Sequence, residues 1–145
     1  METSSKPRPV FIYGTLRVPN LLAWVLTHDF SNITAVQAIS RPGKVYGYAR
    51  YSIHDCDYPA AVKHHNPSSF VDGFLLDLET NSQRQKLDDF EGDQYKAAPV
   101  TVVLANGETV EADMYVWDDD EDALTSLPWD LDWFIRERSA LWSEE

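Results

Sequence analysis

Cysteine is nearly absent: Cys56 is the single thiol in 145 residues. One thiol cannot form an internal disulfide, nor supply a zinc site built from several thiolates. Asp55 and Asp57 flank it, so nothing beside it stabilises a thiolate, and it is not read as a nucleophile. Long apolar runs are also missing. None approaches the roughly 20 residues of a membrane-spanning helix, and the first nine residues lack the apolar stretch of a signal peptide. The expectation is a soluble, cytoplasmic protein, in which the acceptor-like Asn32-Ile33-Thr34 carries no glycan. Basic side chains are scarce, with 12 Lys and Arg against 24 Asp and Glu, a net charge of −12. Most of that excess lies in residues 73–145, where five basic residues face nineteen acidic ones. Such a surface repels phosphate and anionic lipid, so neither nucleic acid nor membrane is an expected partner. Histidines are few. His64 and His65 are adjacent and point apart on helix or strand. His54, Asp55, Cys56 and Asp57 match no metal-ligand spacing, so no metal and no cofactor are expected.

What is present suits a folded protein: 43% of the residues are hydrophobic, and aromatics make up 12% of the chain. The length suits one domain over residues 1–145. Residues 1–8 read as a flexible arm, and residues 118–145 as an acidic loop followed by a C-terminal helix. Val10-Phe11-Ile12-Tyr13 is a short apolar strand stopped by Gly14. Pro19 then opens a helix carrying Leu21, Leu22, Val25 and Leu26 at helical spacing. Residues 43–53 read as one strand rich in aromatic and β-branched residues, and residues 70–78 as another. Thr80 or Asn81 can cap a helix over 82–90 that turns Leu87 and Phe90 to the core and ends at Gly92. Residues 100–104, Asn106-Gly107 and 108–117 read as a hairpin with a type I′ turn. The run 118–122 is a solvated acidic loop. Asp130 caps a last helix, with Trp129 stapled to Phe134 and an apolar stripe of Leu131, Phe134, Ile135, Leu141 and Trp142. Strands dominate and helices are short, which indicates an α+β fold with a curled mixed or antiparallel sheet and helices outside it.

Two segments carry possible chemistry. Tyr13-Gly14-Thr15-Leu16 lies between the first strand and the first helix, where a glycine lets the backbone aim several amides into one concavity. Such nests bind carboxylates and phosphates; no second glycine or lysine makes this one a phosphate loop. Leu87-Asp88-Asp89-Phe90-Glu91-Gly92-Asp93-Gln94-Tyr95 crowds four acids into a helix end. The negative helix terminus and the neighbouring Asp88, Asp89 and Asp93 both oppose an ionised Glu91 and push its pKa toward the range of a general acid or base.

Together these segments resemble the paired signatures of the gamma-glutamylcyclotransferase-like proteins, in particular their avirulence-induced-gene-like branch. Tyr58-Pro59-Ala60, Val71-Asp72-Gly73 and Tyr115-Val116-Trp117 are secondary matches, and the resemblance runs from about Phe11 to Trp117. It implies a small β-barrel of mixed strands flanked by short helices. It also implies cleavage of a gamma-glutamyl amide by the substrate's own α-amine, releasing 5-oxoproline and an amine without metal, cofactor or covalent intermediate. The small-molecule substrate's carboxylate would be held by Tyr13, Gly14, Thr15 and Leu16, with Arg17 either adding charge or facing solvent. Glu91 would be the acid-base residue, and Tyr95 and Tyr115 are candidate donors to the developing oxyanion. Lys96 is followed by Ala97 where the family usually has an arginine. That departure keeps a second reading open, a binding or regulatory module that retains the pocket without turnover. A third reading, an interaction domain, would need Trp129, Trp133 and Trp142 exposed as one patch. The leaving amine and the oligomeric state are not legible.

Overall fold

An unbroken apolar triplet organises the architecture. Val10, Phe11 and Ile12 form strand β1 and are all buried, because β1 has covered neighbours on both faces rather than one. The computed structural model describes residues 7–53, 59–92, 95–118, 123–129 and 131–137. After β1 (Val10–Ile12) come a 3-10 turn (Thr15–Arg17), α1 (Pro19–Thr27), α2 (Ile33–Gln37), β2 (Ser40–Tyr46) and β3 (Tyr48–Ile53). Then follow β4 (Pro59–Lys63), β5 (Phe70–Leu76), α3 (Asn81–Glu91), β6 (Tyr95–Leu104), β7 (Thr109–Trp117), β8 (Leu124–Pro128) and α4 (Leu131–Glu137). Strands β1-β5-β2-β6-β7 close into a barrel, and β4-β3-β8 form a second, three-stranded sheet. Closure comes from β1, which pairs antiparallel with β5 and parallel with β7. The α+β barrel expected from the sequence is the fold observed.

The two faces of β1 separate two cores. Phe11 points into the barrel with Val45, Val71, Leu75, Val102 and Met114. Val10 and Ile12 point outward to Leu22, Leu26, Leu87 and Phe134, the inner faces of α1, α3 and α4. Helix α1 begins at Pro19 as expected, and α3 begins with a capping box in which Thr80 and Gln83 bond each other's backbone amides. Trp129 and Phe134 contact each other at 5.8 Å between ring centroids, as the staple required.

Several expectations are corrected. The strand over 43–53 is two strands, because Gly47 takes φ +85° and turns the chain from the barrel into the second sheet. The hairpin turn is not type I′. Gly107 alone has positive φ, its amide bonds the Leu104 carbonyl, and Leu104 pairs with Glu108 around a three-residue loop. Strand β6 starts at Tyr95 rather than at residue 100, and α2, β4, β8 and the 3-10 turn were not anticipated. Phe90 and Ile135 are exposed rather than core-facing. Trp129 is buried while Trp133 is exposed, so these two tryptophans do not share an open patch. Arg8, within the expected arm, binds Asp113 at 3.0 Å. His54, Asp55, Cys56, Asp57, Tyr58, Asp93, Gln94, Asp130, Leu141 and Trp142 lie outside the described residues. Among the described residues no helix is long and apolar enough to cross a membrane.

Gly73 marks the tightest point of the barrel. A Cβ there would land on the Ile12 carbonyl oxygen, and backbone cannot rotate away as a side chain can. Gly73→Ala should therefore lower stability by about 2–3 kcal/mol or more. Gly47→Ala, with positive φ but open space around it, should cost about 1 kcal/mol. Urea unfolding of both variants checks the order; equal losses would refute it.

Candidate active site

The end of β1 and the end of α3 meet over one cavity of about 360 Å³, lined by Phe11, Ile12, Tyr13, Gly14, Thr15, Leu16, Pro59, Phe90, Glu91, Tyr95 and Tyr115. Residues 75 or more positions apart are adjacent there because β1 sits between β5 and β7 in the barrel. Seven of the eight residues singled out from the sequence line this space; Arg17 does not. Its guanidinium instead lies 3.6 Å from Asp72 with its side chain 10% exposed. It is turned toward Asp72 and away from open solvent.

Gly14 is required by its neighbour. A Cβ on it would approach Pro59 Cδ to 2.8 Å, so only glycine lets the loop lie against β4. The next residues wind into the 3-10 turn, whose first internal bond runs from the Arg17 amide to the Gly14 carbonyl at 3.0 Å. The amides of Thr15 and Leu16 precede that bond, and leading amides of a helical turn have no partner within it. Tyr13 anchors the loop. Its hydroxyl donates to the Tyr115 carbonyl at 2.6 Å and accepts from the Ala61 amide at 3.1 Å. The Tyr13 carbonyl accepts from Arg50 Nη1 at 2.8 Å, and Arg50 also binds the Asp72 carboxylate at 2.7 Å. Burial, and then the nearby Glu91, hold the Tyr13 hydroxyl far above its ordinary pKa.

Glu91 is the last residue of α3. Its carboxyl group is pushed up to about 8, first by burial and then by the Asp88 charge. The expected direction is right, but burial is the leading cause. Asp89 is exposed and bonds Gln85 at 2.9 Å, and only Asp88 among the nearby acids contributes among the described residues. Asp88 is itself held: it accepts a short hydrogen bond from the Tyr115 hydroxyl and another from Arg84 Nε at 3.0 Å. Arg84 Nη1 reaches Asp113 at 2.9 Å, and Asp113 also accepts from Arg8. Burial works against the Arg84 charge, but its bonds to Asp88 and Asp113 outweigh it and keep the guanidinium firmly protonated.

Both candidate oxyanion donors are committed elsewhere. Tyr115 gives its hydroxyl hydrogen to Asp88, and Tyr95 gives its own to the Pro59 carbonyl at 2.7 Å. A phenol has one hydrogen to give, so in this arrangement neither hydroxyl has a hydrogen left for an oxyanion. Ala97 is exposed, pairs with Tyr115 across the β6–β7 ladder, and does not line the cavity. Arg50 and Arg84 are the contributors that sequence reasoning missed; Asp88 is read from the sequence as a charge acting on Glu91, and Pro59 only as part of a secondary match. The Arg84–Asp88 spacing of four on a helix was a readable signal; the partners of Arg50 and Pro59 come from distant strands and left none. Among the described residues no cluster of three or more His, Cys, Asp or Glu can hold a metal.

Removing the Tyr13 hydroxyl leaves a buried carbonyl and a buried amide without their partner. Tyr13→Phe should cost about 1–3 kcal/mol. Denaturant unfolding reads this; a loss below about 0.5 kcal/mol would show that the hydroxyl does not tie these strands together.

Comparison with known proteins bears on this arrangement. Residues 10–133 match the family described as gamma-glutamyl cyclotransferase, AIG2-like. Protein AIG2 C of Arabidopsis thaliana is 29% identical over 133 residues, spanning 90% of this chain and 74% of that protein. A solution structure of an Arabidopsis thaliana protein superposes with a TM-score of 0.67 at 27% identity, covering 97% of this chain and 81% of that one. A yeast gamma-glutamyl cyclotransferase specific to glutathione shares the fold, with a TM-score of 0.59 at 12% identity over 84% of this chain and 73% of that one. The matched span contains the loop, the end of α3 and both tyrosines, and the chain belongs to the gamma-glutamyl cyclotransferase, AIG2-like family.

Proposed function

We propose that this protein cleaves a gamma-glutamyl amide by intramolecular attack of the substrate's α-amine, releasing 5-oxoproline and an amine, with Glu91 as the acid-base residue. The observation that carries the reading is that Glu91, whose carboxyl is pushed up to about 8 by loss of water and by Asp88, lines the same cavity as the loop of residues 13–16. The α-ammonium must lose a proton before its nitrogen can attack the amide carbon. Glu91 in its ionised form takes that proton. The new C–N bond closes a five-membered lactam, the old C–N bond breaks, and the departing nitrogen receives the proton from Glu91. The ammonium of bound substrate favours the carboxylate form while substrate is present. Holding the glutamyl arm folded supplies much of the rate, because the reaction is a ring closure. The amides of residues 13–16 are the candidates for holding the substrate carboxylate or the developing oxyanion.

Release of 5-oxoproline from gamma-glutamyl amides tests the reading. Glu91→Gln should lower kcat by about 100-fold or more, the usual contribution of a positioned acid-base group, in a protein that remains folded. Release that survives the substitution would remove Glu91 from the mechanism. The same substitution has a stability signature. The folded-state pKa of about 8 lies above the ordinary 4.5, so the folded protein holds a proton that the unfolded chain has lost between those values. Stability falls as pH rises through that window, and Glu91→Gln abolishes the slope. The variant should therefore gain on the parent, by on the order of a few kcal/mol, as pH rises from 4.5 to 8. Unfolding curves at the two ends of the window check this; parallel stabilities would refute the buried carboxyl.

The neighbours should move the acid limb of the pH–rate profile in opposite directions. Asp88→Asn removes the like charge and lowers the limb. Arg84→Met leaves Asp88 without its cation and raises it. Shifts in one common direction would mean that these residues act on Glu91 through packing alone.

A further inference from the structure

The cavity has one rim residue among its described walls. Phe11, Ile12, Tyr13, Thr15, Leu16, Pro59 and Tyr115 are buried, Gly14, Glu91 and Tyr95 are intermediate, and Phe90 alone is exposed, at 41%. Phe90 precedes Glu91 in the last turn of α3. It also lines a second concavity of about 490 Å³ between α1 and α3, with Leu21, Trp24 and Val25 on the opposite wall. The two spaces therefore share Phe90. Trp24 is 39% exposed and stacks on Phe30 at 4.7 Å with the rings 5° from parallel, which presents a flat apolar surface.

Two of the polar members of this groove bond the protein, and a third packs on an aromatic ring. Lys86 Nζ donates to the Leu26 carbonyl at 3.0 Å, Asp89 accepts from Gln85 at 2.9 Å, and the His28 ring lies 5.2 Å from Trp24. Lys86 and Asp89 also carry opposite charges, so the groove selects no sign. Its remaining walls, Leu21, Trp24, Val25 and Phe90, offer a ligand carbon.

We infer that the groove between Phe90 and Trp24 receives the leaving-amine portion of the substrate, and that this portion is apolar, aromatic or bulky aliphatic. The inference rests on the cyclotransferase reading for its geometry. There the leaving nitrogen takes its proton from Glu91, so the nitrogen lies within hydrogen-bond reach of that carboxyl. The glutamyl arm occupies the loop side. The substituent on the nitrogen leaves by the rim, where Phe90 is the first surface it meets and Trp24 faces it across the groove. Burying apolar area on both rings is the driving force.

Calorimetric titration of the Glu91→Gln protein with L-γ-glutamyl-benzylamide and L-γ-glutamyl-methylamide separates binding from turnover. The benzylamide should bind at least about tenfold more tightly, the gain expected from burying a phenyl ring against apolar walls. Adding Trp24→Ala, or Phe90→Ser, should reduce that ratio by about threefold or more, and Trp24→Phe should retain most of it. Two variants on two helices guard against one that fails to fold. Equal affinity for the two amides, or a preference that both variants leave intact, would overturn the groove. Release of 5-oxoproline by the parent enzyme from the same two amides reports on the reaction separately. Preference without release overturns the cyclotransferase reading and leaves the groove standing. Release from both amides at equal kcat/KM overturns the groove and leaves the reaction. Binding of neither amide overturns both.

Discussion

The Tyr13 hydroxyl is the point on which the site depends. It donates to the Tyr115 carbonyl on β7 and accepts from the Ala61 amide on β4, so one oxygen joins the end of β1 to the barrel wall and to the second sheet. Its position fixes where the chain leaves β1. From there Gly14 lies against Pro59 at a distance no Cβ allows, and the 3-10 turn begins. Arg50 adds a second hold through the Tyr13 carbonyl. The loop lines the cavity from a fixed position because Tyr13, which precedes it, is held at both its hydroxyl and its carbonyl. Buried hydrogen bonds of this kind add little net stability each, but leaving one unmade is costly, and that asymmetry makes the loop geometry specific.

Glu91 illustrates how environment outranks sequence neighbourhood. Helix polarity and adjacent acids both predict a raised pKa for Glu91, and the direction is correct. Yet the dominant cause is removal of the carboxyl from water, with Asp88 second. A surface turn with the same acids would be screened and would perturb a carboxylate little. The surrounding bonds serve to manage Asp88 rather than Glu91. Arg84 and the Tyr115 hydroxyl hold it, and Asp113 holds Arg84 in turn. This chain of alternating charges leaves the Asp88 carboxylate close enough to act on Glu91 while keeping it fixed.

Legibility followed the range of each interaction. A cap at Thr80, Pro19 at a helix start and Trp129 with Phe134 are local rules, and each holds. Seven of the eight site residues proposed from the sequence line one cavity. What was misread depends on partners far away in sequence. Arg17 pairs with Asp72 rather than the cavity. Phe90 has helical spacing for the core, but the barrel ends before it and leaves the ring at the rim. Gly47 sits inside a run of good strand formers, and nothing local says that two sheets meet there. Asn106-Gly107 has the composition of one turn and adopts another, because pairing of Leu104 with Glu108 sets the loop at three residues.

Charge completes the account of what can enter. A net charge of −12 disfavours phosphate esters and polyanions. A gamma-glutamyl amide is a zwitterion at its α-carbon, so the same field neither draws it in nor repels it strongly. Recognition then has to come from short-range groups. The cations near the site are all bound to protein carboxylates: Arg17 and Arg50 to Asp72, Arg84 to Asp88 and Asp113. None of these lines the cavity. What remains for a substrate carboxylate is the backbone itself, the amides that follow Gly14. A neutral amide nest beside a carboxyl that is itself largely protonated when empty requires no buried fixed charge to be left unpaired between turnovers. That balance explains how an acidic protein can hold the Glu91 carboxyl in a cavity that none of these cations lines.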